Sequence, residues 1–531
     1  MNPGLREHLE TLRQQDKLLV VDREVDLRYA SAIIAQSDKA VVFTRPKGYE
    51  PQVLVGGLFG DRLRTGLAYG SSYDQAWRRI RQAQDNPIEP VIVDDAPAWE
   101  VVVEGDDVDL SALPVPILAS QDGAPYISAA ITGSVDPDRG HNWGVYRYQL
   151  LNRNTMAIDL TTRNNMFNYL QRAYAEGRPF GVTVNIGNHP YEFLAAGMDL
   201  PSGVDEMAAA GGLHEEPVAL VPAATFEPGP GGTSPRAIAN SEYILEGEFL
   251  PGGWIHDEGR FGEFHGLMGS MHKNPALRIH RIARRRDAHL YTLQMAYEVN
   301  YMYIPITTRA AYKALANAGI EAVDINVTMG GCTAFHVIAS IKKFPGAGKN
   351  AILALMNVGI VKHVVVTDPD IDVFDPEEVE WAIATRVQVE KDVVIVPGMG
   401  RAKPLDPVLP PGMDPLLITR LGIDATMPEG IPEARYQRIQ YAHLDEIELD
   451  DLLGGGAPFV SGAEGAETLE ATELSGEVEG YLQANQPRYY MEVVDQFAKY
   501  PHRMVVQAMG VLYDQGRLAR DEEGRYLLAG K

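Results

Sequence analysis

A pair of glutamates around one arginine is the feature of this sequence best suited to chemistry. Glu258 and Glu263 enclose the segment Glu-Gly-Arg-Phe-Gly-Glu, and aromatic side chains at Trp254, Phe261 and Phe264 flank it. Two carboxylates near one guanidinium can hold different pKa values, one ionised and one ready to donate a proton. The intervening glycines permit a positive φ or the close approach of a ligand. A solvated acidic turn would have the same composition, but the aromatic residues favour a partly buried cleft.

A second polar group lies about a hundred residues upstream, in the segment Asn-Trp-Gly-Val-Tyr-Arg. If the segment is a strand, its side chains alternate: one face carries Asn142, Gly144 and Tyr146, and the other carries Trp143, Val145 and Arg147. An asparagine carboxamide oxygen is a competent ligand for a hard cation, and a guanidinium binds phosphate or carboxylate. Taken alone, such residues are more often solvated or structurally paired.

Two further glutamates are candidates for a cation site. Glu206 opens a predicted helix, where the helix dipole alone favours a carboxylate. Glu242 heads a hydrophobic strand, and a carboxylate buried there needs a cation or hydrogen-bond donors. An exposed Glu at the end of a strand is the alternative for Glu242.

The bulk composition is that of a soluble globular protein of two or three domains. The 531 residues include 72 acidic and 47 basic side chains, for a net charge of −25. This charge opposes non-specific binding to nucleic acid or anionic membrane. The single cysteine, Cys332, excludes an intrachain disulfide and is predicted to be a buried core thiol. No apolar run is long enough to span a bilayer, so we expect a cytoplasmic protein.

The elements predict an α+β protein. Leu5, Leu9 and Leu12 recur at helical spacing, and short apolar runs follow. The predicted domains are an N-terminal α/β unit (1–110), a split β-barrel (111–305), a connecting helix (306–325), an α/β domain (326–450) and a linker with a small helical module (451–531). Barrel strands are predicted at 127–133, 145–151, 156–160, 180–186 and 279–295, with a helix at 165–176 between them.

Alternating strands and helices predict the α/β layer, with strands at 322–328, 335–342, 362–367 and 392–396 and helices at 307–318, 348–358 and 376–388. A Gly- and Pro-rich stretch at 226–235 predicts a surface loop, and a Gly-, Ala- and Glu-rich stretch at 454–480 predicts a linker. The last fifty residues resemble the end of a winged-helix unit. Their many acidic residues favour packing or oligomer contact over DNA binding.

In order along the chain, these motifs resemble the signature of the UbiD-type decarboxylases, which use prenylated flavin mononucleotide (prenylated FMN). The similarity covers Asn-x-Gly-x-Tyr-Arg at 142–147, Ser-Glu at 241–242 and the motif at 258–263. It continues through Asp-Ile-Asp-Val-Phe-Asp at 370–375 and Leu-Gly-Ile-Asp-Ala-Thr at 421–426. The resemblance implies a flavin-binding split barrel and a C-terminal α/β oligomerisation domain that forms homodimers or homohexamers.

The resemblance also implies roles for individual residues. Arg147, Glu258 and Glu263 would form the catalytic network, with Glu263 as the proton donor. A divalent cation, manganese or magnesium, would bind Asn142 and Glu206, with Glu242 as the second choice of carboxylate; potassium would lie near the flavin phosphate. The implied cofactor-binding residues are Asn142, Trp143, Gly144, Val145, Tyr146, Arg147, Asn164, Asn165, Glu206 and Arg420.

One departure from the family pattern concerns the metal. Asn165 stands where the family has a histidine ligand, and an amide oxygen suits magnesium or calcium better than manganese. Arg163 could bind the phosphate directly instead.

The resemblance implies reversible non-oxidative decarboxylation of an aromatic or heteroaromatic α,β-unsaturated acid. A phenazine carboxylate, a hydroxybenzoate and a pyrrole or furan carboxylate all remain open as substrates. The cofactor implies a flavin prenyltransferase of the UbiX kind in the cell. One alternative is a split-barrel oxidoreductase that uses ordinary FMN, and another is a non-catalytic flavin-binding assembly subunit. The Glu–Arg–Glu set argues against both, since hydride transfer and simple binding need no such relay.

Overall fold

A computed structural model describes residues 2–198, 200, 204–227, 234–400, 403, 405–410, 416–446, 448–453 and 470–529. The chain divides into two compact units, residues 1–426 and 427–531. Most of the predicted loop at 226–235 lies outside the described residues.

The first hundred residues form a small α/β layer. Its elements are α1 (Leu5–Gln14), β1 (Leu18–Val21), α2 (Ala30–Gln36), β2 (Ala40–Phe43), β3 (Val53–Gly56), α3 (Arg62–Ala68), α4 (Ala76–Asp85) and β4 (Val91–Ile92). The predicted amphipathic helix is confirmed, because Leu5, Leu9 and Leu12 are all buried on one face of α1. Strands β1 and β2 pair in parallel, and β3 pairs antiparallel with β2.

The middle of the chain forms a barrel with helices between its strands. Its elements are β5 (Val101–Glu104), β6 (Tyr126–Asp136), β7 (Gly140–Leu150), β8 (Thr155–Ile158), α5 (Asn165–Ala175), β9 (Gly181–Ile186), α6 (Pro190–Ala196), α7 (Glu206–His214), β10 (Ala219–Pro222), β11 (Arg236–Ile238), β12 (Tyr243–Phe249), β13 (His256–Glu258), β14 (His272–Asn274), β15 (Ala276–Arg284) and β16 (His289–Thr292).

Six antiparallel strands close the barrel in the order β12-β9-β6-β7-β8-β15, and β15 pairs back to β12. Closure removes the free edges that an open sheet would expose. Strand β5 adds to the outside of β15. The opposite faces of β7 contact different cores: Trp143 and Val145 pack in one, whereas Tyr146 and Tyr148 pack in the other. The predicted alternation along this strand is therefore confirmed.

The single run predicted at 279–295 is wrong in detail, because it contains two strands that belong to different sheets. The barrel strand β15 ends at Arg284, and after a turn β16 pairs in parallel with β3 of the N-terminal layer. The charged segment Arg284-Arg-Arg-Asp287 breaks the apolar run, and this break is the local signal for the turn.

Residues 297–425 form the predicted α/β layer. Its elements are α8 (Tyr297–Asn317), β17 (Ala322–Val327), β18 (His336–Ile341), α9 (Ala347–Met356), β19 (His363–Thr367), α10 (Pro376–Arg386), α11 (Val389–Asp392), β20 (Val393–Met399) and β21 (Ile418–Ala425). The sheet order is β17-β18-β19-β21-β20. Helix α10 begins as expected, since the Asp375 side chain accepts a hydrogen bond from the Glu377 amide at 2.9 Å.

Helix α8 begins ten residues before the predicted start at 307. Pro305 lies inside it, and a proline weighs against a helix in a sequence-based prediction. Tertiary contacts secure its first turn, because the buried Glu298 carboxylate accepts hydrogen bonds from the amides of Phe59 and Gln294 at 3.0 and 2.8 Å.

The unit of residues 427–531 has its own core. Its elements are α12 (Leu449–Leu453), α13 (Ala471–Asn485), α14 (Tyr490–Gln496), α15 (His502–Asp514), β22 (Leu518–Arg520) and β23 (Tyr526–Leu528). The linker predicted at 454–480 is wrong from Ala471 onward, because α13 buries Leu474, Val478 and Leu482 against the other helices. The helices followed by the β22–β23 hairpin agree with the winged-helix resemblance.

Cys332 is another correction. It is half-buried rather than fully buried, and its backbone has a left-handed φ of 50°. Burial still raises the pKa of its thiol. Among the described helices, none combines the length and apolar character needed to cross a bilayer.

Candidate active site

Arg147 is the centre of a buried ionic network, and three carboxylates surround its guanidinium. Its Nε lies 2.8 Å from Glu258 Oε1, its Nη1 lies 2.8 Å from Glu263 Oε1, and its Nη2 lies 3.3 Å from Asp159 Oδ2. Four local structures supply these side chains: β7, the residue after β8, the end of β13 and the turn that follows β13. The predicted triad of Arg147, Glu258 and Glu263 is thus brought together, and Asp159 joins it.

Burial and charge act against each other in this network. Burial lowers the pKa of Arg147, but the three carboxylates raise it further, so it lies well above its usual value. Burial raises the pKa of Asp159, but the charge of Arg147, the hydrogen bond from Thr161 and the charges of Lys403 and His272 together outweigh burial and leave the pKa lowered. Burial raises the pKa of Glu258 to about 7 and also raises that of Glu263. Burial therefore favours the protonated forms of Glu258 and Glu263, although both contact the Arg147 guanidinium.

Glu258 and Glu263 differ in how many hydrogen bonds they accept. Glu258 uses both oxygens, since Oε1 contacts Arg147 and Oε2 accepts a 2.7 Å hydrogen bond from Asn274 Nδ2. Glu263 uses only Oε1 among the described residues, leaving Oε2 for another partner. Glu258 is therefore held as a fixed acceptor, whereas Glu263 has a carboxyl oxygen available for proton transfer.

The turn that carries these glutamates is shaped by close backbone packing. Neither glycine of the motif has a positive φ, so the first of the two predicted reasons for these glycines is wrong. A Cβ on Gly259 would lie 2.6 Å from the Cα of Gly123 in the neighbouring loop, which is too close. A Cβ on Gly262 would only touch Met295 at 3.5 Å. A Cβ on Gly269 would disturb a site residue directly, because it would lie 2.5 Å from Glu263 Oε1.

Aromatic rings cover the network as predicted. The guanidinium carbon of Arg147 lies 4.9 Å from the ring centroid of Phe261, which in turn packs on Tyr126 at 4.5 Å. Tyr126 donates its hydroxyl hydrogen to the Gly259 carbonyl at 2.9 Å. Phe261 is only 1% exposed, so these rings exclude water from one side of Arg147. Trp254 instead packs on Phe167 of α5 at 4.7 Å.

Asn142 and Glu206 are the predicted ligands that the structure places in a suitable environment. Glu206 Oε2 accepts a 3.1 Å hydrogen bond from the Trp143 amide, next to Asn142 in the chain. Burial raises the pKa of Glu206 to about 7, and no cationic side chain pairs with it in the described part of the chain. The Asn142 side chain is 5% exposed, and its carboxamide has no protein partner there. A buried carboxylate without a cation beside an unengaged carboxamide fits a metal site.

Asn164 and Asn165 differ in their surroundings. Asn164 caps α5 by accepting from the Phe167 amide, and its Nδ2 donates to the Tyr146 hydroxyl at 3.0 Å. Asn165 is exposed at the first turn of α5. No hydrogen bond links its side chain to Asn142 or Glu206 among the described residues. The structure therefore gives the metal role of Asn165 no support.

Two other predicted residues have structural partners. The Glu242 carboxylate accepts hydrogen bonds from Arg6 Nε and Nη2 at 2.8 and 2.9 Å and from the His289 amide at 3.0 Å. It is thus engaged in joining α1 to β12, which favours Glu206 as the metal carboxylate. Arg420, predicted to contact the flavin phosphate, is 1% exposed on β21 and donates to the Gly400 carbonyl at 2.7 Å.

Sequence reasoning missed three functional side chains. Asp159 contacts Arg147, and Asn274 contacts Glu258. A polar Asp159 in an otherwise apolar predicted strand could have indicated the first of these contacts. Burial lowers the pKa of Lys403 even though the charges of Asp159 and Glu263 raise it. Lys403 therefore lies near the same network. It comes from a Pro- and Gly-rich stretch far along the chain, where the sequence offers no pattern to find it.

The chain thus combines a closed barrel with a buried ionic network of one arginine and three carboxylates. Comparison with family models identifies the family, because three consecutive parts of the chain match the 3-octaprenyl-4-hydroxybenzoate carboxy-lyase models. Residues 9–84 match the N-terminal domain, residues 91–298 the Rift-related domain and residues 301–425 the C-terminal domain. The chain belongs to the UbiD family of carboxy-lyases.

Individual relatives agree with this assignment. The chain is 31% identical over 432 residues to anhydromevalonate phosphate decarboxylase of Methanothermobacter thermautotrophicus, covering 80% of this chain and 97% of that one. It is 30% identical over 455 residues to phenolic acid decarboxylase of Sedimentibacter hydroxybenzoicus, covering 80% and 91%. The UbiD-class enzyme HmfF of Pelotomaculum thermopropionicum in complex with FMN superposes with a TM-score of 0.75 at 33% identity, covering 85% of this chain and 100% of that one. An evolved dimeric form of HmfF in complex with prFMN superposes with a TM-score of 0.73 at 31% identity, covering 85% of this chain and 99% of that one.

Proposed function

We propose that this protein catalyses the reversible, non-oxidative decarboxylation of an aromatic or heteroaromatic α,β-unsaturated carboxylic acid, with prenylated FMN as its cofactor. The observation that carries the proposal is the network in which Arg147 holds Glu258, Glu263 and Asp159 in a water-poor site. Family membership supplies the reaction class, and the relative solved with prFMN supports the cofactor.

Arg147 orients the substrate in this proposal. A guanidinium has five N–H donors, and the contacts to the three carboxylates leave one or more of them for a substrate carboxylate. When bound, prenylated FMN supplies an electrophilic carbon that accepts the electrons released with CO₂. Phe261 shields Arg147 from water, which strengthens the ionic contact to the substrate.

Glu263 supplies the proton. The bond between the substrate carbon and its carboxylate breaks, CO₂ leaves, and the Glu263 carboxyl proton replaces it on that carbon. The free Oε2 of Glu263 and its raised pKa suit this role. Glu258 keeps Arg147 in place through two contacts, and Asp159 balances its charge. Solvent returns the proton to Glu263, and the reverse sequence carboxylates the product at high CO₂.

The divalent cation is proposed at Asn142 and Glu206, where it would neutralise the flavin phosphate. Manganese and magnesium are both compatible with two oxygen ligands and water. Potassium, the phosphate role of Arg420 and assembly into homodimers or homohexamers stay predictions that rest on the family resemblance.

The relatives are named for different classes of substrate. One relative is named for a phenolic acid and another for a phosphorylated acid. A panel of phenazine, hydroxybenzoate, pyrrole and furan carboxylates, with a phosphorylated enoic acid as the contrasting compound, tests this choice.

The cofactor is tested by expressing the protein with and without a flavin prenyltransferase of the UbiX kind. We expect CO₂ release, and exchange of labelled CO₂ into the acid, only after co-expression, together with the mass of the prenylated flavin. Equal turnover with ordinary FMN would contradict the proposal and favour the flavin oxidoreductase. Bound prenylated flavin without turnover on any acid would favour a non-catalytic binding protein.

A further inference from the structure

A second group of buried ligand-type side chains lies apart from the Arg147 network. His189, Glu192 and His214 each offer one ligand atom, and these atoms all lie within 4.8 Å of one another. His189 caps α6, Glu192 lies in its first turn, and His214 is the last residue of α7. Glu192 is 1% exposed and His189 is 9% exposed. Such a grouping is costly to bury unless its polar atoms are satisfied.

Two buried atoms at this cluster have no protein partner. Glu192 Oε2 accepts no hydrogen bond, although Oε1 contacts His214 Nε2 at 2.9 Å and Asn2 Nδ2 at 2.7 Å. His8 Nε2, on α1, is likewise buried without a partner, and its residue is 2% exposed. The His8 ring packs edge-on against His189 with centroids 5.6 Å apart. A buried acceptor and a buried imidazole nitrogen therefore remain unsatisfied around three ligand-type side chains.

From this geometry we propose that His189, Glu192 and His214 bind a structural zinc ion, with water as the fourth ligand. Two imidazoles with one carboxylate form a borderline-soft set that suits zinc better than magnesium or calcium. This site is distinct from the oxygen-rich pair Asn142 and Glu206.

One pair of the proposed ligands already has nearly the spacing of a zinc shell. Zn–N and Zn–O bonds of about 2.0–2.1 Å place tetrahedral ligand atoms roughly 3.3 Å apart, and His214 Nε2 lies 2.9 Å from Glu192 Oε1. Zinc displaces the proton now shared by these two groups, and that proton is released to solvent. His189 Nδ1 accepts from the Tyr191 amide at 3.2 Å. A histidine that binds zinc through Nε2 carries its proton on Nδ1. His189 Nδ1 would then no longer accept the Tyr191 amide, so the zinc bond would replace this long hydrogen bond.

The position of the cluster gives the ion a role. It lies where α1, α6 and the end of α7 meet, and α7 begins at Glu206. A metal bond to His214 would fix the end of the helix whose first residue carries the proposed flavin-site carboxylate. The ion would hold the helix in place and take no part in the reaction.

The test is zinc binding by the full chain prepared without flavin. The protein is stripped with a chelator, reloaded with Zn²⁺ alone, dialysed and analysed for zinc content. We expect about one tightly held zinc per chain and a higher melting temperature after reloading. Glu192→Gln and His214→Gln should each reduce the retained zinc to near zero. His336→Gln is the matched control, because His336 is a half-buried histidine that lies outside this cluster and pairs with the ring of His363 at 6.1 Å.

Two further measurements keep the result decisive. Glu206→Gln should lose any ion at the flavin site but retain the zinc of this cluster. Co²⁺ in the wild-type protein should give the intense visible bands of a four-coordinate nitrogen–oxygen site, even if a variant misfolds. Zinc content equal in the wild type, Glu192→Gln and His214→Gln, or a weak six-coordinate cobalt spectrum, would overturn the proposal. The cluster would then be a buried hydrogen-bond network only.

Discussion

Glu258 and Glu263 show how two identical side chains on one arginine acquire different roles. Both are buried, and burial raises the pKa of each. Their difference lies in hydrogen bonding, since Glu258 is held at both oxygens by Arg147 and Asn274, whereas Glu263 is held at one. In the proposed mechanism, environment rather than residue type therefore makes Glu258 the fixed acceptor and Glu263 the proton donor.

Replacing the donor is the first prediction at this scale. Glu263→Gln preserves the shape of the side chain but cannot transfer a proton. We expect the variant to retain its fold and flavin and to lose turnover by about 10²–10⁴-fold. Steady-state decarboxylation, with flavin content measured by absorbance, checks this.

Glu258→Gln is the comparison for that variant. It should also reduce turnover, because it weakens the support of Arg147, yet it should retain proton delivery. Exchange of deuterium from heavy water into the product carbon separates the two roles, since it reports proton transfer without net decarboxylation. Wild-type exchange in Glu263→Gln would move the donor role to another residue, with Lys403 as the next candidate.

The pH dependence is the second prediction at this scale. The donor must be protonated, and burial raises the pKa of Glu263 above its usual 4.5 and that of neighbouring Glu258 to about 7. We expect kcat to fall as the pH rises through about 7. The apparent pKa belongs to the coupled network rather than to one residue.

The free energy of unfolding should also fall as the pH rises. A carboxyl whose folded pKa is raised contributes stability that is complete below its unfolded pKa and is lost as the pH rises through the folded value. For Glu258 the loss between about pH 4.5 and 7 is on the order of 3 kcal/mol. Denaturant unfolding at a series of pH values checks this, and Glu258→Gln should flatten the dependence of stability on pH.

For the activity prediction, a kcat that rises through neutral pH would contradict protonated Glu263 as the donor.

At the scale of elements, the turn after β13 positions Glu263 through the absence of a side chain at Gly269. An added Cβ would lie 2.5 Å from Glu263 Oε1, so Gly269→Ala should push the carboxylate off Arg147. We expect turnover to fall by about 10²-fold, the typical cost of an ångström-scale misplacement. Gly262→Ala in the same turn is the control, because its Cβ meets only Met295 at 3.5 Å. Equal activity in the two variants would show that the Glu263 side chain is free to move.

At the scale of the whole molecule, the boundary after Thr426 predicts a tolerated truncation. Residues 427–531 bury their own cluster of apolar side chains, among them Leu474, Val478 and Leu512. The family models also end at residue 425. We expect residues 1–426 alone to fold cooperatively and bind the flavin, with a melting temperature close to that of the full chain. Circular dichroism and flavin absorbance check this, and an aggregated or flavin-free fragment would contradict it.

Local patterns in the sequence were enough for most elements and for part of the site. The spacing of Leu5, Leu9 and Leu12 predicted α1, and Asp375 before Pro376 predicted the start of α10. The order of the motifs predicted the family and the grouping of Arg147, Glu258 and Glu263. These features depend on hydrophobic period, capping chemistry and short motifs, which are written into neighbouring residues.

Tertiary structure decided what depends on residues distant in sequence. Helix α8 begins early because buried Glu298 accepts a hydrogen bond from the distant Phe59 amide. Helix α13 forms in a stretch rich in Gly and Glu because it packs on α15. Asp159 reaches Arg147 across the β7–β8 hairpin, where the Asp159 amide donates to the Arg147 carbonyl at 3.3 Å. Lys403 comes near the same network only because a distant segment returns to it, and Asn165 is exposed although its sequence position suggested a ligand. Burial of a carboxylate and the distance to its partner are set by the fold, because both depend on which distant segments pack around it.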